Sequence, residues 1–467
     1  MAMILQFPIQ QAPISINREL IARYNLSGPR YTSYPTALQF TEDFRKADYQ
    51  QAIAQTDPKA PLSIYIHIPF CATLCYYCAC NKIVTKDRRK AQTYVEYLKR
   101  EIALHAKLLG GRRVTQMHWG GGTPTFLSHT EMAAIVDCLH HHFEIAPSSE
   151  GEYSIEVDPR AVNDDSMQRL AELGLNRLSL GVQDFDPKVQ KAVNRVQSFE
   201  LTEKVIQQAR EHGFRSINLD LIYGLPYQTE QSFRETLDKV MLLSPDRLSI
   251  FNYAHLPSHF KSQAAIPKQA LPSAEEKLQI LEYTVSFLTR NDYVHIGMDH
   301  FAKPNDELAV AQRNGQLHRN FQGYSTRAEC ELLALGVSGI SQIGDSYFQN
   351  LKDLDGYYEA LDKSSLPLWR GVKLDADDKL RRDVIMQLIC HFNLEYSVIN
   401  QLHGIDFQSH FADELQRLQN FADDGLVTID EQGIEVAPLG RLLIRNICTV
   451  FDRYLSVMMQ SRFSRLI

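Results

Sequence analysis

Four of the eight cysteines fall within ten residues, Cys71-Ala-Thr-Leu-Cys75-Tyr-Tyr-Cys78-Ala-Cys80, directly after the strand pattern Leu62–Ile68. Thiolates spaced Cys-x3-Cys-x2-Cys on one loop can wrap one face of an iron–sulfur cube. Four irons with three cysteine ligands leave one iron open to bind a small molecule. Two other readings compete. Cys75-x2-Cys78 alone matches a thioredoxin-like redox pair, and four cysteines together can hold zinc. A redox pair gives Cys71 and Cys80 no role, and structural zinc usually takes two knuckles well separated along the chain. Cys138, Cys330, Cys390 and Cys448 are scattered through apolar runs and read as small buried core thiols.

At 467 residues the chain can build a large core and more than one domain. A formal charge of −7 and 22 % charged residues give no basic excess that would point to nucleic acid. Met1–Ile16 has no basic n-region and carries Pro8 and Pro13, so it does not read as a secretory signal. No apolar run is long enough to span a bilayer. Free cysteines that ligate iron need a reducing compartment, which places the chain in the cytoplasm.

Between residues 62 and 253 short β patterns alternate with helical ones. The expected strands are Leu62–Ile68, Val114–Trp119, Tyr153–Val157, Arg177–Val182, Ile217–Ile222 and Leu248–Tyr253. Asn163 is the expected cap of a helix ending at Gly174, Thr229 the cap of another, and Glu200–His212 stops at Gly213. Residues 273–290 form a further amphipathic helix, and Tyr293–Phe301 a strand and loop. Alternating strands and helices argue for βα units on a parallel sheet. In the first strand Leu62, Ile64, Ile66 and Ile68 share one face and Ser63, Tyr65 and His67 the other, so Tyr65 and His67 are expected to face a cavity; the bland alternative is that Tyr65 only fills the barrel. From about Leu374 helices precede a β-hairpin over residues 425–436, a winged-helix-like pattern. Residues 374–467 carry nine Lys and Arg against fourteen Asp and Glu, which argues against DNA binding.

Polar residues gather where these strands end. Gly120-Gly-Gly-Thr-Pro-Thr125 lets the backbone approach a ligand closely. Glu156 and Asp158 share a face at the end of the third strand, Gln183 ends the fourth, and Asp220 lies in the fifth. Strand C-terminal ends form the mouth of a barrel, where sites are built. For any one of these residues an ordinary ion pair or cap is the competing role.

The cysteine spacing, with an aromatic before the third cysteine, resembles the signature of radical S-adenosylmethionine (SAM) enzymes. Gly28–Ala37, Leu62–Val84, His118–Thr125, Ile155–Arg160, Leu180–Phe185, Asp220–Pro226, Gly297–Ala302, Arg319–Thr326, Gly336–Ser341 and Gly440–Leu455 together resemble the oxygen-independent coproporphyrinogen III oxidase family, nearly end to end. The resemblance implies an α/β fold, a partial (β/α)6 radical-SAM barrel with an N-terminal extension and a mainly helical C-terminal domain. The corresponding division is residues 1–50 over the active site, 51–310 as the barrel, 311–373 as a connecting region contributing to the site, and 374–467 as the helical domain with its hairpin.

It further implies one [4Fe-4S] cluster on Cys71, Cys75 and Cys78, with Cys80 a non-ligand, and two SAM molecules. Tyr65, Gly121 and Glu156 would contact the SAM on the cluster. Tyr77, Ala79, Gly122, Thr123, Gln183, Arg195, Asp220, Ala254 and Ile340 would contact the second or lie between the two. Tyr65, Phe321 and Gln322 would serve catalysis, the last two near substrate. Tyr77 stands where the family usually has Phe, and Ala79 where it has Gly, placing a methyl group in the approach. The implied reaction turns two propionates of coproporphyrinogen III into vinyl groups, giving protoporphyrinogen IX in haem biosynthesis. Its partners would be coproporphyrinogen III, SAM and a reductant such as a flavodoxin or ferredoxin, acting on a monomer. Arg30 is a candidate for the substrate carboxylates, and Tyr31 and Tyr34 are suited to covering the tetrapyrrole. Two other classes keep the same core: haem-binding delivery proteins and radical-SAM methyltransferases. Cys80, Gly28–Ala37 and Phe321-Gln322 favour the enzyme over the first, and the N-terminal segment over the second.

Overall fold

The computed structural model describes residues 17–24 and 28–455. The readings of Met1–Ile16, and of residues 456–467 as the end of the C-terminal domain, lie outside the described residues.

Six strands form the heart of the molecule: β1 (Leu62–Ile68), β2 (Arg113–Gly121), β3 (Glu152–Val157), β4 (Arg177–Gln183), β5 (Ser216–Tyr223) and β6 (Arg247–Asn252). Each pairs in parallel with the one before it. Parallel neighbours need a crossover, and helices supply it: α1 (Arg89–Leu109), α2 (His129–His142), α3 (Ser166–Glu172), α4 (Phe199–Glu211) and α5 (Glu230–Leu243), with α6 (Ala274–Arg290) after β6. The sheet continues at both ends. An antiparallel hairpin, β7 (Val294–Gly297) and β8 (His300–Ala302), joins β6 through β8. On the other side β9 (Glu331–Leu335) runs parallel to β1, and β10 (Ile340–Ile343), β11 (Ser346–Asn350) and β12 (Leu368–Lys373) follow antiparallel. The strand order ends at β7 and at β12, so the barrel stays open.

The aliphatic face of β1 behaves as its alternation requires: Leu62, Ile64, Ile66 and Ile68 are fully buried. Each such side chain contributes about 1.5–3 kcal/mol when taken out of water. They pack with Tyr94, Leu98 and Ile102 of α1 in one large core. Helix ends follow local chemistry. Thr229 caps α5 in a capping box with Ser232, and Ser273 does the same for α6 with Glu276. Gly213 and Gly174 take positive φ after α4 and α3. The expected cap at Asn163 is corrected: α3 starts only at Ser166, because the Asn163 side chain accepts from the Ser166 hydroxyl in a turn instead. Residues 293–301 form a complete hairpin rather than a single strand and loop. Cys390 and Cys448 are buried as expected, whereas Cys138 and Cys330 are half-buried.

The C-terminal region packs a second core around α7 (Ala376–His391), with Phe407, Phe411 and Phe451. Its hairpin, Val427–Ile429 with Gly433–Val436, takes Asn393–Glu395 as a third strand. Tyr31 and Tyr34 belong to this core and are not a cover over ligand. Tyr31 donates to Asp452, and the Tyr34 hydroxyl accepts from the Arg453 backbone. Among the described residues no helix is long and apolar enough to cross a membrane.

Candidate active site

The second face of β2 to β6 points into one cavity of about 490 Å³, within the usual range of ligand pockets. Gln116 and His118 come from β2, Glu152, Ser154 and Glu156 from β3, and Arg177, Ser179 and Gly181 from β4. Ser216, Asn218 and Asp220 come from β5, and Arg247, Ser249 and Phe251 from β6. The registers match inward residue to inward residue: Gln116 with Glu152, Glu156 with Ser179, Gly181 with Asp220, Asp220 with Ser249. A slip of one position in any strand would turn that polar row outward. At the N-terminal ends of the strands the cavity has a floor of ion pairs, Arg177 with Glu307, Arg247 with Asp306, and Glu152 with Arg327.

The mouth is shaped by the cysteine loop. Phe70–Cys71 pairs with Ile83–Val84, so both ends of the loop are tied together. Asn194 donates to the Leu74 carbonyl (2.7 Å), Lys82 to that of Cys78 (2.9 Å) and Gln263 to that of Tyr77 (3.1 Å). Cys71, Cys75, Cys78 and Cys80 all line the cavity wall. Among the described residues no three His, Cys, Asp or Glu side chains converge as ligands of one metal ion. A cube takes each thiolate on a separate iron, so its ligands need only share a wall, as these do. Arg160 and Arg195 each bring a guanidinium nitrogen to 3.6 Å from the Cys75 sulfur, positive charge that suits a thiolate. Hydrogen bonding from Cys80 pulls the Cys78 thiol down to about 6, and the same bond, with burial, holds Cys80 well above the ordinary thiol range. Burial raises Cys71 to about 11.

Two glycines are required here. A Cβ on Gly121, which has φ +110°, would sit 2.5 Å from the His67 ring, and one on Gly122 would meet the Phe70 carbonyl at 2.7 Å. The Gly121 N–H donates to Glu156 at 3.1 Å, and His118 Nε2 donates to the same carboxylate at 3.2 Å. Burial alone would raise Glu156, but His118, Gly121 and His67 outweigh it and hold the carboxyl below its usual range. Asp158 is likewise held low against burial by Arg160 and Arg195. Asp220 goes the other way, to about 6, because burial and the neighbouring Glu156 outweigh hydrogen bonds from Asn218 and Ser179. At the mouth of the site Glu156 and Asp158 are thus kept ionised, as Glu152 is on the floor, while Asp220 alone among these carboxyls is raised, to about 6.

Cys71, Cys75, Cys78, Tyr77, Gly121, Gly122, Thr123, Glu156, Gln183, Arg195, Asp220 and Gln322 lie on the cavity wall. The buried amide nitrogen of Gln322 has no partner within the protein, which leaves it free to donate to a ligand. Tyr65 sits just behind the wall. Its hydroxyl donates to His67 Nδ1 (3.0 Å), His67 Nε2 donates to the Asn81 carbonyl (3.0 Å), and its ring stacks on His118. Phe321 and Ile340 meet in an apolar cluster with Phe40 and Tyr347, off the polar wall. Ala79 is exposed and Ala254 half-buried, and neither is on that wall. The sequence reading missed roles for His118, Arg160, Ser179 and Asn218. Strand alternation would have found all but Arg160, which lies just past the end of β3.

Comparison with known proteins agrees with this geometry. The model of the radical SAM superfamily matches residues 65–240, and that of the HemN C-terminal domain residues 374–443. The chain is 53 % identical over 450 residues to the oxygen-independent coproporphyrinogen III oxidase of Escherichia coli, covering 96 % of this chain and 98 % of that one. It is 52 % identical over 451 residues to the Pseudomonas aeruginosa protein of the same name, with the same coverage of each chain. The solved structure of coproporphyrinogen III oxidase (HemN) from Escherichia coli, described as a radical SAM enzyme, superposes with a TM-score of 0.91 at 52 % identity, covering 95 % of this chain and 100 % of that one. Enzymes of the superfamily use a [4Fe-4S] cluster and SAM, and the thiol wall, glycine turn and carboxylates around this cavity suit both. The chain belongs to the oxygen-independent coproporphyrinogen III oxidase family of radical SAM enzymes.

Proposed function

We propose that the chain converts two propionates of coproporphyrinogen III to vinyl groups without oxygen, giving protoporphyrinogen IX in haem biosynthesis. The observation that carries this is near-complete coverage of named relatives by a chain whose inward barrel face is polar and whose mouth is lined by four cysteines, three of them at the Cys-x3-Cys-x2-Cys spacing. At each propionate one hydrogen is lost from the β-carbon, carbon dioxide leaves, and an electron passes to an acceptor. The cluster and SAM, when bound, supply a carbon-centred radical able to take hydrogen from an unactivated C–H bond.

The chain's own residues orient and enclose. Cys71, Cys75 and Cys78 would hold the cluster, and Arg160 and Arg195 balance the charge beside Cys75. Glu156, kept ionised, suits an ammonium group, and the close backbone approach at Gly121 and Gly122 leaves room for the ligand beside it. Asp220 can accept from ribose hydroxyls. A second SAM would use Tyr77, Ala79, Gly122, Thr123, Gln183, Arg195, Asp220, Ala254 and Ile340. Phe321 and Gln322 would face the tetrapyrrole. The floor of ion pairs closes the barrel below, so water is displaced as ligands fill it from above.

In this reading residues 51–310 are the barrel and 311–373 complete its wall, with the described part of 1–50 approaching the active site and the described part of 374–467 bracing it. Exposed Lys86, Arg88, Arg89 and Lys90 beside the cysteine loop, offset only by Asp87 paired with Arg89, suit an acidic electron carrier such as a flavodoxin or ferredoxin. A cytoplasmic location fits the free thiols, and the chain is read as acting as a monomer. Anaerobic incubation with coproporphyrinogen III, SAM and a reductant, followed by chromatography, tests the proposal. The expected products are protoporphyrinogen IX and 5′-deoxyadenosine; a methylated tetrapyrrole, or cleaved SAM with unchanged tetrapyrrole, would refute it.

A further inference from the structure

Beside the cavity, three distant parts of the chain bring guanidinium groups together. Arg30 pairs with Asp299 and stands over the Phe251 ring at 5.7 Å. Arg319 lies over the Tyr324 ring at 4.7 Å and donates to the Arg30 carbonyl at 3.2 Å. Arg445 donates to the carbonyls of Pro29 and Gly28. Phe251, Tyr324 and His300 are cavity wall, so the cluster lies directly behind it. Burial, with Arg319 and Arg30, keeps His300 neutral, well below the ordinary imidazole range. Burial, with Arg319, lowers Arg445 to about 10.

Charge here is out of balance. Arg319 is only 4 % exposed and has no carboxylate partner among the described residues, and its Nη1 is buried without a hydrogen bond. Asp299 is already committed to Arg30. The segments outside the described residues contain no Asp or Glu in their sequence. Buried cationic charge of this kind is costly unless an anion joins it. Arg30 keeps 37 % of its side-chain surface open, which leaves the recess a way in.

We propose that Arg319 and Arg30 seat a propionate carboxylate of the tetrapyrrole, and specifically one that is retained in the product. This rests on the proposed function above. The distinction follows from charge. A guanidinium clamp stabilises a carboxylate anion and opposes its departure as neutral carbon dioxide, so it suits a propionate that stays. Anchoring a retained propionate orients the ring and selects which of the other side chains faces the radical. Arg445 is a positioning residue that fixes Gly28 and Pro29, and with them Arg30.

The test uses the full chain without its cluster and follows quenching of porphyrin fluorescence, independent of turnover. Coproporphyrin III, protoporphyrin IX and coproporphyrin tetramethyl ester are titrated in the same detergent. Arg30→Gln and Arg319→Gln should weaken both free acids by on the order of ten- to a hundredfold, the loss of a charge-assisted pair, and leave the ester unchanged. Asp299→Asn, which removes the competing anion, should tighten both free acids severalfold, an effect that no folding defect produces. Unchanged affinity in the arginine variants, or no tightening in Asp299→Asn, would overturn the site. Weakening of coproporphyrin alone would show that the clamp holds a reacting propionate and refute the retention argument. If the wild-type chain neither binds coproporphyrin nor turns over coproporphyrinogen, the proposed function fails first.

Discussion

Asp220→Asn separates folding from ligand binding, because the two should move in opposite directions. The folded carboxyl keeps its proton up to about pH 6, raised first by burial and then by Glu156. In an unfolded chain it would release that proton near its ordinary value of 3.8. Between those values the folded state binds more protons, so stability falls as pH rises and the full deficit persists above pH 6. A shift of this size corresponds to about 3 kcal/mol, reduced to about 1–2 kcal/mol by water reaching the cavity wall. Asparagine keeps an acceptor for Asn218 at 2.8 Å and can donate to Ser179 at 3.1 Å without the charge. The variant without cluster should therefore be about 1–2 kcal/mol more stable at pH 8, with the gain vanishing near pH 4. Urea unfolding followed by circular dichroism at pH 4, 6 and 8 measures this. SAM affinity of the reconstituted variant should fall about tenfold, since an ionised acceptor of a ribose hydroxyl is lost. Equal stability at pH 8, or a gain that grows as pH falls, would refute the electrostatic argument.

Glu156→Ala should assemble its cluster normally, judged by visible absorbance, yet lose SAM cleavage on reduction; normal cleavage would remove Glu156 from the ligand site. Serine in place of Cys71, Cys75 or Cys78 should cost the brown chromophore, whereas Cys80→Ser should keep iron near four per chain, about one cube. Iron analysis decides between them, and loss of the cluster in Cys80→Ser with retention in Cys78→Ser would reverse the assignment. Glu101→Ala should destabilise the fold by about 3–5 kcal/mol, measured by urea unfolding. It strands the Gly336 N–H, the Asn350 amide and the Tyr357 hydroxyl, which reach the buried carboxylate at 2.6–2.7 Å.

Local rules make the barrel legible in the sequence. Two-residue alternation in β1 through β6 decides which side chains face inward, and it depends only on the pleat of a strand. The expected strand Leu62–Ile68 is the observed one, and the other five differ by no more than two residues at either end. Thr229 and Ser273 begin helices because their hydroxyls accept from backbone N–H groups three residues on. Asn163 shows the limit of such rules, since a turn competed for the same side chain. The cysteine loop was readable because its ligands lie within eight residues, a spacing that tertiary packing cannot change. Packing alone decided the rest. Tyr31 and Tyr34 read in sequence as groups suited to covering a tetrapyrrole but are buried against residues more than three hundred positions away. Phe321 meets Ile340 and Phe40 because β9 to β12 extend the sheet beyond β1. The recess formed by Arg30, Asp299, Arg319 and Arg445 has no periodicity to reveal it. Each of those charges is unremarkable on its own stretch of chain, and only the closing of the two cores upon one another brings them within reach of a shared anion.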